Sequence, residues 1–315
     1  DGSFLAELLL ARGYDVVGAV RPGHMAELGC AEPVRDRVRL TEADLLVPET
    51  IRAAVAEVRP QEIYHLAAPS YVPRSWEHPR ETLAAIAGST GALLEAVREL
   101  VPEARVLVAG SGSMFGEARV SPQDEQTPAR PSTPYAVAKL AAHQLVGAMR
   151  RHEGLHATSA IFFNHESERR PERFVTRRVS RAAAAISLGL EREITLGSLD
   201  AVRDWSFAGD FVAGAWLMLQ QEQADDYVLA SGVGHTVAEL AQTAFACVGL
   251  DAEDHVRVDE DLVRAPEPTT SIGNAQKART RLGWAPTLDF HGLVERMVRA
   301  DLQRLRQGEA GLRPT

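Results

Sequence analysis

The feature that most constrains this chain is the alternation, through its first half, of short apolar runs with amphipathic segments. Residues 15–20 (DVVGAV), 38–43, 62–66 (EIYHL), 105–109 (RVLVA) and 156–163 read as strands. Between them, residues 50–58, 84–100 and 134–152 carry helical periodicity. Apolar strands separated by helices belong to a parallel sheet covered on both faces. Right-handed crossovers then make the sheet doubly wound, an α/β fold. The opening residues obey the same scheme. Phe4, Leu5, Leu8 and Leu9 have helical spacing, Ser3 is placed to cap that helix and Gly13 to end it. A helix that leads into a strand so early implies a strand ahead of it, and we expect one upstream of Asp1.

After Asn164 the regularity loosens. Residues 166–178 (ESERRPERFVTRR) are charged and rich in arginine. Helices are expected at 176–188, 208–221, 236–247 and 288–304, strands at 193–196 and 227–230, and a frayed tail at 307–315. With 34 Lys plus Arg against 43 Asp plus Glu, the net charge is −9, which argues against a general nucleic-acid binder. It leaves room for a local arginine cluster around one small phosphorylated ligand. The longest apolar stretches, such as 213–219, fall far short of the ~20 residues that cross a bilayer, so no membrane partner is expected. Cys30 and Cys247 stand alone, with no CxxC and no Cys/His cluster. Neither a disulfide framework nor a metal site follows, and a cytoplasmic location is the expectation.

The sharpest local signal is Tyr135-Ala-Val-Ala-Lys139, at the start of the helix at 134–152. Residues four apart share a helical face. An ammonium near a phenol stabilises phenolate and makes the tyrosine a usable proton carrier near neutral pH. Such spacing also describes an ordinary surface pair. Its surroundings add weight, because a Gly110-Ser111-Gly112-Ser113 turn follows the strand at 105–109. Ligands bind at the carboxyl ends of strands in such sheets. No GxSxG nucleophile elbow can be written around either serine.

These residues resemble the extended short-chain dehydrogenase/reductases that act on nucleotide sugars, the NAD-dependent epimerase/dehydratase family, and within it the GDP-mannose 4,6-dehydratases. The resemblance runs from residue 1 to about 294. Its best stretches are 1–14 (DGSFLAELLLARGY), 62–72 (EIYHLAAPSYV), 132–139 (STPYAVAK), 162–178, 196–205 (LGSLDAVRDW) and 216–232. It implies an NAD(P)-binding Rossmann domain at 1–163, to which about 204–232 returns, and a nucleotide-sugar lobe at 164–203 and 233–315.

Carried over residue by residue, the resemblance makes Gly2 the last glycine of the cofactor loop. Asp44 and Leu45 become the adenine-contacting pair, and Leu66, Ala67 and Ala68 the strand end under the cofactor. Arg21 sits where NAD enzymes usually carry an acid, which favours NADP over NAD, although Pro22 replaces the family's second arginine. The cofactor is expected to stay tightly bound and be recycled. Ser70, Asn164, Val175, Arg177, Arg203, Arg264 and Glu267 become ligands of a GDP-sugar, with arginines on the diphosphate. The helices at 84–100 and 134–152 become those of a homodimeric four-helix bundle.

One position departs from the family. Ser111 falls on the catalytic Ser/Thr, but Ser113 falls where the dehydratases carry a glutamate. Losing water across C5 and C6 of a 4-keto sugar needs an acid and a base, and a serine hydroxyl is poorly suited to that task. The 4-epimerases need no such acid and commonly carry Ser-small-Ser/Thr there. The expectation is therefore a sugar-nucleotide 4-epimerase with Ser111, Ser113, Tyr135 and Lys139 at its centre. The alternatives are a 4,6-dehydratase with an altered acid/base, for example Glu117, a 4-keto reductase, and a non-catalytic sugar-nucleotide-binding protein.

Overall fold

A computed structural model describes residues 1–26, 28–262 and 270–308. In chain order the first elements are α1 (Gly2–Ala11), β1 (Val17–Val20), β2 (Arg39–Glu42), α2 (Pro48–Val58), β3 (Glu62–His65), α3 (Val72–Glu77), α4 (Pro79–Leu83), α5 (Ser89–Leu100), β4 (Arg105–Ala109), α6 (Pro134–Glu153) and β5 (Ala157–Phe162). Then come β6 (Asn164–Glu166), α7 (Val175–Ser187), β7 (Ile194–Leu196), β8 (Val202–Arg203), β9 (Trp205–Phe207), α8 (Ala208–Leu219), β10 (Tyr227–Leu229), β11 (His235–Thr236) and α9 (Val237–Ala246). The chain closes with α10 (Ala252–His255), β12 (Val256–Val258), β13 (Thr270–Ser271), α11 (Gln276–Leu282) and α12 (Phe290–Arg306).

Four strands form a parallel sheet in the order β10-β5-β4-β3, and β1 pairs parallel with β2 beside it. Every residue of β5 is buried, as expected of a strand covered on both faces. The facing edges of β1 and β3 carry no ladder partner among the described residues, and a cavity runs between them. Helix α6 starts cleanly: Thr133 Oγ1 accepts from Ala136 N at 3.1 Å, Pro134 takes the first position, and Gly154 ends the helix at φ +68°.

Several elements extend or escape the sequence pattern. The helix expected at 84–100 runs on from α4 through a π-turn at Ala84–Gly88. The segment after Asn164, irregular by its sequence pattern, begins with β6 in parallel pairing with β9. Neither three-residue strand is long enough to show a period. The carboxy-terminal elements pack α7, α9 and α12 around Phe245, Leu240 and Met297. Residues 309–315, the distal part of the expected frayed tail, lie outside the described residues.

Asp226, just before β10, fastens this strand to the sheet. Arg150 of α6 donates to both its oxygens at 2.8 and 2.7 Å, and Ser159 N donates at 2.8 Å. Against the cost of burial, these bonds hold the carboxyl below its ordinary range. Asp226→Ala is expected to lower unfolding free energy by about 2–3 kcal/mol, because it strands a half-buried guanidinium and an amide. The folded carboxyl binds its proton more weakly than the unfolded one. Its contribution is therefore present above the unfolded pKa and is lost as pH falls through the depressed folded value. Urea titrations of both proteins at neutral and acid pH should show the difference shrinking in acid.

Candidate active site

The carboxyl ends of β3, β4 and β5 open into a cavity of about 1920 Å³. At the end of β4 the chain passes so close to β5 that a Cβ on Gly110 would lie 3.0 Å from Ala160 O, and one on Gly112 would lie 3.1 Å from the Phe163 ring. Two positions beyond Met114, Gly116 has φ +53° and a Cβ there would fall 1.8 Å from Arg130 O, so only glycine fits. This packing fixes Ser111, whose Oγ accepts from Ser113 N at 3.2 Å and caps the short 3₁₀ turn at Gly112–Phe115.

Tyr135 and Lys139 enter from α6 and are both buried. Ser111 stands near enough to the Tyr135 hydroxyl to draw its pKa down. Lys139 Nζ donates to Ala109 O at 2.7 Å and lies 5.8 Å from the centre of the Tyr135 ring. Burial pushes the Tyr135 phenol up, and Ser111 and the charge of Arg170 pull it back. Burial alone pushes Lys139 down to about 8. His65, at the end of β3, is driven to about 4 by burial and then by the Lys139 charge, and its Nε2 meets Ser89 Oγ at 3.1 Å.

Of the residues singled out from the sequence, Ser111, Ser113, Tyr135, Lys139, Gly2, Leu45, Leu66, Ala67, Ala68, Ser70, Asn164, Val175 and Arg203 all line this cavity. Three others do not. Arg177 is almost wholly buried and pairs with Asp301 of α12 at 2.7 Å. The wall position belongs to Arg178, whose Nη2 also donates to Thr195 O at 2.7 Å. Helical geometry explains the correction: Arg178 is three residues from Val175 and shares its face, whereas Arg177 points to the core. Asp44 is used locally, accepting from Leu46 N at 2.9 Å in the turn before α2. Arg21 is exposed in the turn after β1 and is not among the residues of the cavity wall. Arg264 and Glu267 lie outside the described residues. Glu117 is exposed and does not reach the cavity.

Motif spacing alone does not single out the charged lining. Arg169 donates to Ser3 Oγ at 2.9 Å and pairs with Glu7 at 2.8 Å, which ties the β6 loop to α1. Arg170 lies 3.5 Å over the Phe174 ring, and Arg173 lies 5.5 Å from both Tyr71 and Phe174. Together with Arg178 and Arg203 they make a basic wall on an acidic protein. The arginine-rich run at 166–178 is its visible signal in the sequence. Among the described residues no cluster of His, Cys, Asp and Glu is arranged to hold a metal, and no helix is long and apolar enough to cross a membrane.

A parallel sheet with Ser111, Tyr135 and Lys139 gathered at its carboxyl ends defines a class, the epimerase/dehydratase branch of the short-chain dehydrogenase/reductases. The sequence profile described as GDP-mannose 4,6 dehydratase matches residues 1–297. GDP-mannose 4,6 dehydratase 2 of Arabidopsis thaliana is 41% identical over 315 residues, covering 96% of this chain and 84% of that protein. GDP-mannose 4,6-dehydratase of Sinorhizobium fredii is 39% identical over 332 residues, covering 97% and 95%. Among solved structures, UDP-glucose 4-epimerase of Thermus thermophilus in complex with NAD superposes with a TM-score of 0.83 at 25% identity, covering 95% of each chain. The chain belongs to the GDP-mannose 4,6-dehydratase family.

The lowered Lys139 pKa has a measurable consequence in the cofactor-free protein. Between about 8 and the ordinary 10.5 the unfolded chain holds a proton that the folded chain has released. Stability therefore gains an increment as pH rises through that window. Lys139→Met is expected to lack the increment, read as the difference between denaturation free energies at either end of the window.

Proposed function

We propose that this enzyme is an NAD(P)-dependent nucleotide-sugar 4-epimerase that acts on a GDP-hexose through a transient 4-keto sugar. What carries the reading is Ser113. By the family resemblance it stands where the dehydratases carry a glutamate, and no carboxylate is hydrogen-bonded to Ser111, Tyr135 or Lys139 among the described residues.

The cavity suits the cofactor. Gly2 and Ser3 open α1 on its wall, and that helix start has no side-chain cap, so its amides are available to a pyrophosphate. Leu45, Leu66, Ala67 and Ala68 would hold the nucleoside, and Tyr135 and Lys139 the nicotinamide ribose. When bound, the nicotinamide supplies the hydride acceptor and donor for C4. Ser70, Asn164, Val175, Arg178 and Arg203 would hold the sugar nucleotide, with the arginines on its diphosphate. Tyr135 takes the C4 hydroxyl proton and returns it. Ser111 hydrogen-bonds the C4 oxygen and keeps Tyr135 aligned with it, while the Lys139 ammonium favours the phenolate.

A second reading, the 4,6-dehydratase, is supported by the family profile and by the activity printed for the relatives. It differs in requiring a proton to leave C5 and a hydroxyl to leave C6. Incubation with GDP-mannose and NAD⁺ or NADP⁺ in D₂O, followed by NMR, separates the two. The 4-epimer with hydrogen retained at C5 is the expected product. A 4-keto-6-deoxy sugar carrying deuterium at C5 would establish the dehydratase instead. Tyr135→Phe should lower kcat by about 10²–10⁴-fold while calorimetry still reports nucleotide-sugar binding.

We further propose a homodimer through α4, the π-turn segment and α6. Val137 and Leu145, eight residues apart on one face of α6, are exposed, as are Leu83 and Trp76 nearby. Light scattering should report two chains, and Val137→Asp combined with Leu145→Asp should report one.

A further inference from the structure

Arg203 stands on β8, the central strand of a three-stranded sheet with β11 antiparallel on one side and β13 parallel on the other. Along this stretch the cavity wall takes Ala201, Arg203 and Trp205 and skips Val202 and Asp204, the alternation of an extended chain. Register sets Ser271 of β13 opposite Arg203, and aligned residues on neighbouring strands project to the same face. Ser271 is accordingly on the wall as well, and Thr270 is not. No motif singles out Ser271, because its place beside Arg203 comes from pairing between segments far apart in the chain.

Asp204 lies behind that pair, wholly buried. Its Oδ1 accepts from Ser231 N at 2.9 Å and from Ser231 Oγ at 2.7 Å. Its Oδ2 accepts from Gly232 N at 2.9 Å and from Gly273 N at 3.3 Å, and its own amide donates to Ser271 O at 3.0 Å. Ser231 and Gly232 lead from β10 into β11, and Gly273 follows β13. One carboxylate therefore gathers the entry of one strand that flanks β8 and the exit of the other. The backbone there is tightly specified: Gly232 has φ +88°, and a Cβ on Gly273 would fall 2.4 Å from Ala230 Cβ. Each oxygen meets only donors, which suits a carboxylate and not an amide, whose NH₂ would oppose one set of them.

We propose that Asp204 is a positioning residue for the sugar-nucleotide site: it holds Arg203 and Ser271 side by side, so that guanidinium and hydroxyl together receive the diphosphate. Both are donors to phosphate oxygens, and the guanidinium supplies the charge. This assignment rests on the reading of Arg203 as a sugar-nucleotide ligand given above, and it adds Ser271 to that site.

GDP is the probe, titrated by calorimetry into each variant, while fluorescence of NADH or NADPH, whichever the parent binds, follows the cofactor on the same samples. Arg203→Gln is expected to weaken GDP by about tenfold or more, and Ser271→Ala by about two- to tenfold. Asp204→Asn should approach the loss of Arg203→Gln with cofactor affinity unchanged. The double variant Arg203→Gln/Asp204→Asn should lose no more than Arg203→Gln alone, because one residue acts through the other. Ser231→Ala removes the 2.7 Å hydroxyl donor and leaves the amides in place; it serves as the milder variant if Asp204→Asn does not fold, with a smaller loss in the same direction.

Parent-like GDP affinity in folded Asp204→Asn, or failing that in Ser231→Ala, overturns the proposal when Arg203→Gln is weakened. Additive losses in the double variant, or cofactor affinity that falls together with GDP affinity, overturn it too and leave Asp204 a purely structural residue. An unmoved affinity in Ser271→Ala removes the serine from the site. Parent-like GDP affinity in Arg203→Gln is the separate result that would defeat the reading of Arg203 itself.

Discussion

The rest of the site depends on the close approach of the β4 terminus to β5. Gly110 N bonds Ala160 O at 2.7 Å, and no side chain fits between the two backbones. That contact aims Ala109 O at Lys139 Nζ and presents Ser111 to Tyr135. The helix carrying Tyr135 and Lys139 is anchored separately, by its Thr133 cap and by the Arg150–Asp226 pair near its far end. Rigid strand and rigid helix meet at one hydroxyl. Geometry of this kind is what proton transfer requires, because misplacement by about an ångström is costly.

Burial sets the electrostatics of that meeting point. A phenol and an ammonium are enclosed together, and burial favours the neutral form of each, raising one pKa and lowering the other. The fold answers with local partners in place of solvent: Ser111 near the phenol and Ala109 O for the ammonium. The basic wall is a local arrangement on a chain of net charge −9. Such a wall attracts a diphosphate without making the protein a general polyanion binder.

Helix α12 bears on the site from the carboxy-terminal part of the chain. Asp301 receives Arg177, Ser180 and Arg304, and Arg296 makes two bonds of 2.8 Å to Glu168. These contacts fasten α12 to the arginine-rich stretch through Glu168 and Arg177, on either side of the residues that line the cavity. Burying Arg177 with Asp301 is costly in desolvation and is tolerated only because the pair is complete.

The alternation of apolar runs was sufficient to read the parallel sheet, because strands buried on both faces announce themselves in composition. The span of α6 and the Tyr135–Lys139 pair were legible for a similar reason, since spacing within one helix is a local property. The short strands β6, β8 and β9 were not, because they take their conformation from pairing with distant partners. Arg177 and Arg178 are neighbours of the same residue type, and sequence motif alone picked the one that the fold buries. Only the packing of α7 against α12 turns the first into the core and the second toward the cavity. The sequence by itself determined the class of fold, the serine at position 113 and the Tyr–Lys pair. Which arginines reach the cavity wall was decided by tertiary contacts between segments more than 100 residues apart, such as Arg177 and Asp301.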